Sequence, residues 1–228
     1  DVILNRETPV SVHIDASVTG DATGLAVGRI SGYKKLPAAK IYNHKTQQFT
    51  EIADVQVPVY HIDGALQIVP PANGEIDFEL VRDLIVFLRG HLYVKWATMD
   101  SYQSTMMLQS FRKYQMRSGV LSVDSDISAY AEVKLAVKDE RILLPKSEIL
   151  ARELRELEKV REKEKVDHRE GGSKDVSDAV AGVVYILQHK EAVYNASHRR
   201  RPSIDQMNRE SRPEERSGIR RVRIGRRL

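Results

Sequence analysis

At 228 residues, 41% hydrophobic and 30% charged, the chain has the length of one sizeable domain with appendages and an ordinary globular composition. It has no cysteine, which excludes disulfides, thiolate metal sites and a thiol nucleophile, and no apolar run near the ~18–20 residues of a membrane helix. The formal charge of +4 is unevenly divided: His198 to Leu228 holds eleven arginines and four acidic residues, a formal +7, leaving −3 on residues 1–197. An acidic body argues against a nonspecific nucleic-acid glove, because phosphate contacts dominate such binding, but not against carboxylates that hold metal ions. The start, Asp1 to Arg6, has no basic-then-apolar signal pattern. The first residue is Asp rather than Met, as expected of an excised fragment, and the lack of cysteine fits a reducing cytoplasm.

In chain order, Val10, Val12 and Ile14 alternate with Ser11, His13 and Asp15, the period of a strand. Thr19-Gly20-Asp21 supplies a turn, and Leu25 to Ile30 is a second strand. The polar stretch Ser31 to Asp54 has no assignment; Val55 to Ile62 and Ala65 to Val69 are further strands, closed by Pro70-Pro71. Ile76, Leu80, Val81, Leu84, Ile85 and Leu88 share a helical face that Gly90 ends. Leu92 to Thr98 is a strand leading to Asp100, followed by a helix from Gln103 to Met116 stopped near Gly119. Val120 to Val123 is a short strand, Ile127 to Val137 a helix, and Arg141 to Leu144 a strand. Leu150, Leu154, Leu157 and Val160 mark a charged helix, and Gly171-Gly172 precedes a last apolar helix from Asp175 to His189. A β-rich first third followed by alternating helix and strand predicts an α/β fold, a mixed sheet with helices on its faces. The two regions expected are a domain over 1–197 and a basic, disordered tail over 198–228, rich in Arg and poor in residues to bury.

Three acidic positions fall where elements end or begin. Asp15 closes the first strand, Asp100 follows the strand Leu92 to Thr98, and Asp175 and Asp178 open the last helix one turn apart. Open α/β sheets bind ligands beyond the carboxyl ends of their strands. If the two strands are neighbours, the carboxylates converge into a donor set for Mg²⁺ or Mn²⁺, which take hard oxygen ligands. Two such ions can activate water and stabilise a leaving oxygen in phosphoryl displacement. Each residue also has a plain structural use: Asp15 and Asp100 as turn formers, Asp175 as an N-cap with Asp178 favouring the helix dipole. Asp21, Asp124 and Asp126 are read as structural. His13 shares a strand face with Asp15 and is a neighbour rather than a ligand, since hard cations prefer oxygen. His168 is read as a surface histidine, with contact to DNA phosphate or assistance in catalysis as the alternatives, Lys174 as a rim phosphate contact, and Trp96 as core.

These residues resemble a known family. His13-Ile14-Asp15-Ala16-Ser17 with Thr19 to Gly24 is similar to the first catalytic strand of the large terminase subunits of tailed bacteriophages. Trp96 to Ser104 looks like their second acidic motif, and Lys165 to His168 with Gly171 to Gly182 resembles their third. The motifs come in the family's order and span roughly Val10 to Tyr194. The resemblance implies an RNase H-like mixed β-sheet flanked by α-helices. It implies an endonuclease that cuts concatemeric double-stranded DNA during viral packaging with a two-metal Mg²⁺ or Mn²⁺ site. Carried over residue by residue, Asp15, Asp100 and Asp175 match the catalytic, metal-binding aspartates, with Asp178 as a further metal ligand. Relatives often carry adjacent acids before the last helix, whereas Lys174 precedes Asp175 here, so either Asp175 or Asp178 is the principal ligand. Partners implied are the terminase ATPase domain, the small terminase subunit and the portal protein, in the cytoplasm of an infected bacterial host. The motor is absent from this chain: no Gly-x-x-x-x-Gly-Lys-Ser/Thr loop occurs, so no ATP hydrolysis is expected. Lys174, His168, Arg199, Arg200 and Arg201 are the candidate DNA contacts. Competing readings are another RNase H-like nuclease, of resolvase or integrase type, and a non-catalytic module docking on portal or DNA.

Overall fold

The computed structural model describes residues 7–17, 22–37, 39–43, 48–52, 54–72, 74–100, 105–160, 165–169 and 171–199. In chain order the elements are β1 (Pro9–Asp15), β2 (Thr23–Leu36), β3 (Ala39–Asn43), β4 (Gln48–Ile52), β5 (Val55–Ile68), α1 (Phe78–His91), β6 (Tyr93–Met99), α2 (Thr105–Lys113), β7 (Arg117–Val120), α3 (Ser128–Lys138), β8 (Ile142–Leu143), α4 (Glu148–Glu156), β9 (Leu157–Val160), β10 (Lys165–His168) and α5 (Asp175–Arg199). Six strands form one sheet in the order β7-β6-β1-β2-β5-β8. The β1–β2 and β2–β5 pairs are antiparallel, whereas β6, β7 and β8 join in parallel. This is the mixed sheet expected, with helices on both faces.

The alternation in β1 divides the two cores. Val10, Val12 and Ile14 pack with Val81 and Ile85 of α1 and Met107, Leu108 and Phe111 of α2. On the other face Ala26, Tyr60 and Ile62 meet α3, Leu150 of α4 and an apolar run of α5 that includes Val176, Val180, Val183 and Val184. The odd positions Ser11 and His13 turn toward α5 and are fully buried. Helix α1 begins where Asp77 accepts the Glu79 amide at 2.8 Å, an N-cap the hydrophobic period cannot reveal. Leu80, expected on its buried face, is instead 67% exposed, because the stripe centres on Val81 and Ile85.

Several predicted boundaries move. The unassigned stretch after Ser31 continues β2 to Leu36 and then forms the separate hairpin β3–β4. The two strands expected over 55–69 are a single β5, whose pairing with β2 shifts register beside Gly28 and between Ile30 and Gly32. Helix α2 stops at Lys113, where Gln115 takes a positive φ of 61°, and the next strand comes earlier, at Arg117–Val120 rather than Val120 to Val123. Residues Val123–Ser125 form a single 3-10 turn. The charged helix ends at Glu156; Leu157 to Val160 turns into a strand paired with Lys165–His168. Leu157 therefore satisfied a helical period locally but serves a hairpin, a choice made by its cross-strand partner. Helix α5 has an interruption at His189, the predicted end, and continues to Arg199.

Helix α5 lies against the sheet at the distance set by Gly182. A Cβ on Gly182 would fall 2.0 Å from Cδ2 of the buried His13 ring, which no side chain tolerates. Gly182→Ala is therefore expected to destabilise the fold by about 1–3 kcal/mol or more, as overpacking does. Chemical denaturation measures this; a variant as stable as wild type would refute the close contact.

Candidate functional site

The β1 and β6 strands run parallel side by side, and their ends deliver two carboxylates. Ile14 pairs with Met99, and the Asp100 amide donates to the Ile14 carbonyl at 3.1 Å, so Asp15 and Asp100 leave adjacent strand ends together. Asp15 also pairs with Gly24 across β2. A Cβ on Gly24 would lie 1.8 Å from the backbone oxygen of Asp175. The missing side chain thus lets the first residue of α5 rest on the strand next to Asp15. Thr23 ties the start of β2 to Ser17: its Oγ1 donates to Ser17 O at 3.0 Å and accepts from Ser17 N at 3.1 Å.

The four predicted aspartates are brought into one electrostatic neighbourhood. Burial pushes the Asp15 carboxyl up to about 8, and Asp178, Asp100 and Asp175 push in the same direction against Lys174. Asp178 is raised by burial to about 6, with Lys174 and Tyr130 opposing. Asp175 Oδ2 accepts from Ser173 Oγ at 2.8 Å and Gln67 Nε2 at 3.3 Å. Asp178 is buried and accepts the Tyr130 hydroxyl on Oδ1 and Lys174 Nζ on Oδ2, the latter at 2.7 Å. Glu153, fully buried on α4, accepts the Ser177 amide at 2.7 Å and Ser173 Oγ at 2.9 Å. It caps the N-terminus of α5 from another element, where the helix dipole favours a carboxylate.

Several sequence expectations change here. Lys174 is not a rim contact open to phosphate: its side chain is 11% exposed and ion-paired with Asp178 and Asp124. Burial opposes its charge, yet Asp178 and Asp124 outweigh burial and hold its pKa above the ordinary lysine range. Asp124, read as merely a turn residue, is therefore part of this ion-paired group, while Asp126 caps the Ser128 amide at 2.6 Å as a structural residue would. His168 is a half-exposed hairpin residue whose Nδ1 meets Arg169 O at 2.7 Å, outside the carboxylate group. His13 is a buried neighbour: Nδ1 bonds Thr98 Oγ1 at 2.8 Å and burial lowers its pKa to about 3, so the ring is neutral. Trp96 is core, with Lys95 and Lys190 ammonium groups 4.6 and 4.9 Å from its ring centroid. Asp21, Arg200, Arg201, the rest of the tail and the Arg199 side chain lie outside the described residues. Tyr130 and Glu153 were missed: Tyr130 lies on the helical face that includes Ala129, Val133 and Ala136, and Glu153 lies in a charged run that reads as solvated.

The donor chemistry fits a hard divalent cation. The carboxylates around Asp15 repel one another and outweigh the opposing lysine, so the group lacks positive charge. Among the described residues, no three acidic or histidine side chains are drawn close enough to hold an ion as they stand. A cavity of about 450 Å³ lies beside this group but on the α1/α2 side, lined by Ala16, Met99, Phe78, Met107, Arg82 and Lys113 among others, and none of the four aspartates lines it.

The fold is similar to a solved crystal structure, that of the large terminase nuclease from thermophilic phage G20c. The TM-score is 0.52, covering 78% of this chain and 82% of that chain at 11% identity. No protein-family model matches the sequence, and no curated protein matches it. The fold is thus α/β, a mixed six-stranded sheet flanked by helices, similar to that of this terminase nuclease.

Asp15 makes the metal-free protein pH-sensitive. The folded carboxyl keeps its proton to about pH 8, whereas an unfolded aspartate loses it near ~4. Its stabilising contribution is full below that lower value and is lost as pH rises through about 8. In EDTA, Asp15→Asn is expected to melt at a higher temperature than wild type above that pH, and to lose the advantage in acid. Equal melting temperatures across the range would refute the cost of burying a charged Asp15 beside other carboxylates.

Proposed function

We propose that this chain is a divalent-metal-dependent DNA endonuclease, the nuclease part of a phage DNA-packaging terminase. The observation that carries this reading is the meeting of Asp15, Asp100 and the first turn of α5 at the ends of two adjacent parallel strands. The similarity of fold to a terminase nuclease and the order of the three acidic motifs support it. Asp15, Asp100 and Asp175 would hold Mg²⁺ or Mn²⁺, which supplies a water nucleophile at neutral pH and offsets charge on the phosphodiester oxygens. The chain's own residues orient that site. Gln67 and Ser173 aim the Asp175 carboxylate, Glu153 anchors the helix start beneath it, and the β1–β6 pairing sets the spacing of Asp15 and Asp100.

Residues 1–197 then form the nuclease domain, and 198–228 form a basic tail whose arginines, Arg199, Arg200 and Arg201 among them, attract DNA phosphate or an acidic portal surface. His168 lies on a half-exposed hairpin where a DNA backbone can reach it. The substrate is concatemeric double-stranded DNA, and the partners are the ATPase motor, the small terminase subunit and the portal, in the host cytoplasm. No described helix is long and apolar enough to cross a membrane.

With Mn²⁺ or Mg²⁺ the protein is expected to nick or cut plasmid DNA with little sequence preference, and EDTA stops the reaction. Asp15→Asn and Asp100→Asn each lower the rate by several orders of magnitude without unfolding the chain. Undiminished cleavage by either folded variant would remove the assignment. Asp175→Asn is further expected to weaken calorimetric Mn²⁺ binding more than Asp178→Asn does, since both oxygens of Asp178 are already engaged by Tyr130 and Lys174. A larger loss at Asp178 would reverse the two roles.

A further inference from the structure

The metal-site reading leaves Lys174 without a task. It precedes the first turn of α5, where its backbone oxygen accepts the Asp178 amide at 2.7 Å and Ser177 Oγ at 2.9 Å. Its side chain turns inward, and Nζ donates to Asp178 Oδ2 at 2.7 Å and to Asp124 Oδ1. The other oxygen of Asp178 accepts from Tyr130, whose hydroxyl also lies 3.0 Å from Ser177 Oγ. Asp178 is thus buried, charge-paired and engaged on both oxygens. Among the described residues, the hydrogen bonds to Asp175, by contrast, fall on Oδ2 and come from neutral donors.

These differences have a chemical consequence. A buried carboxylate needs a counter-charge, because the desolvation of an unpaired ion costs several kcal/mol. An ammonium is a compact point charge that meets this need from inside the protein. A divalent ion recruiting Asp178 would have to break a charge-assisted bond to Lys174 and then leave two cations beside each other. We propose that Lys174 is a built-in cation of this centre. Its ammonium supplies, on the Asp178–Asp124 side, the positive charge that a second divalent ion would otherwise bring. It keeps Asp178 out of the metal-binding set, and Asp15, Asp100 and Asp175 hold a single ion. Lys174 is a positioning residue in this scheme, acting through Asp178. The inference rests on the proposed metal site.

The test is Mn²⁺ stoichiometry, measured on the whole chain by calorimetry and by the electron paramagnetic resonance of bound Mn²⁺. Wild type and Lys174→Arg, which keeps the charge, are expected to bind one Mn²⁺ per chain. Lys174→Met, or Lys174→Gln if the methionine variant fails to fold, is expected to bind two. Adding Asp178→Asn to the lysine variant returns the count to one. Two ions already bound by wild type would overturn the proposal. So would a single ion in the lysine variants together with a lowered melting temperature, which reduces Lys174 to a structural ion pair. Mn²⁺ binding by none of the proteins overturns the metal site itself, and the inference with it, an outcome distinct from a wrong count.

Discussion

The near-contact between helix α5 and the strands beneath it is the constraint on which the rest of the structure depends. Two glycines permit it. Gly24 admits the backbone of Asp175, and Gly182 admits the flat of the His13 ring, in both cases where a single Cβ would collide. Between them, a run of alanines and valines on α5 is almost wholly buried against the sheet. Small side chains bring the helix axis close, and close packing holds it there because interiors tolerate little volume change. The N-terminus of α5 is consequently placed over the ends of β1 and β6. Were α5 displaced by the width of a methyl group, Asp175 would no longer adjoin Asp15.

Placing carboxylates this way has an electrostatic cost that the surroundings only partly offset. Lys174 neutralises one side of the group, and Tyr130, Gln67 and Ser173 satisfy oxygens on the other residues. Asp15 remains the least compensated, held protonated at neutral pH by burial and by its acidic neighbours. A site short of positive charge attracts cations and destabilises the fold that builds it, a common feature of sites kept for function rather than stability. Glu153 extends the same logic inward: a buried carboxylate is tolerated because amide and hydroxyl donors at the start of α5 meet both its oxygens.

The hairpin β9–β10 and the inward lysine show where local reading reaches its limit. Leu150, Leu154, Leu157 and Val160 fit a helical stripe, yet the chain leaves the helix after Glu156 because Leu157 and Val160 pair with His168 and Lys165. Propensity and period are local, whereas pairing partners are chosen over distance. Lys174 reads as a rim phosphate contact beside glycines, and only the arrival of Asp124 from the turn after β7 and of Asp178 one helical turn along draws it inward. Tyr130 lies on the buried face of α3, and its hydroxyl gains Asp178 as a partner only because α3 packs on α5.

By itself the sequence determined the kinds of element, their order and the chemistry on offer. Alternation placed His13 and Asp15 on one face of a strand, the apolar run set α5 in the core, aspartates at element ends offered hard oxygen donors, and the lack of cysteine excluded thiolate ligands. These features are local, governed by periods of two and 3.6 residues and by side-chain type. The tertiary structure alone decided that β1 and β6 are parallel neighbours, that Gly24 lies under Asp175, and that Lys174 faces Asp178 rather than solvent. Those outcomes depend on contacts between segments far apart in the chain, whose energies come from burial and packing summed over the whole fold, and no window of the sequence contains that sum.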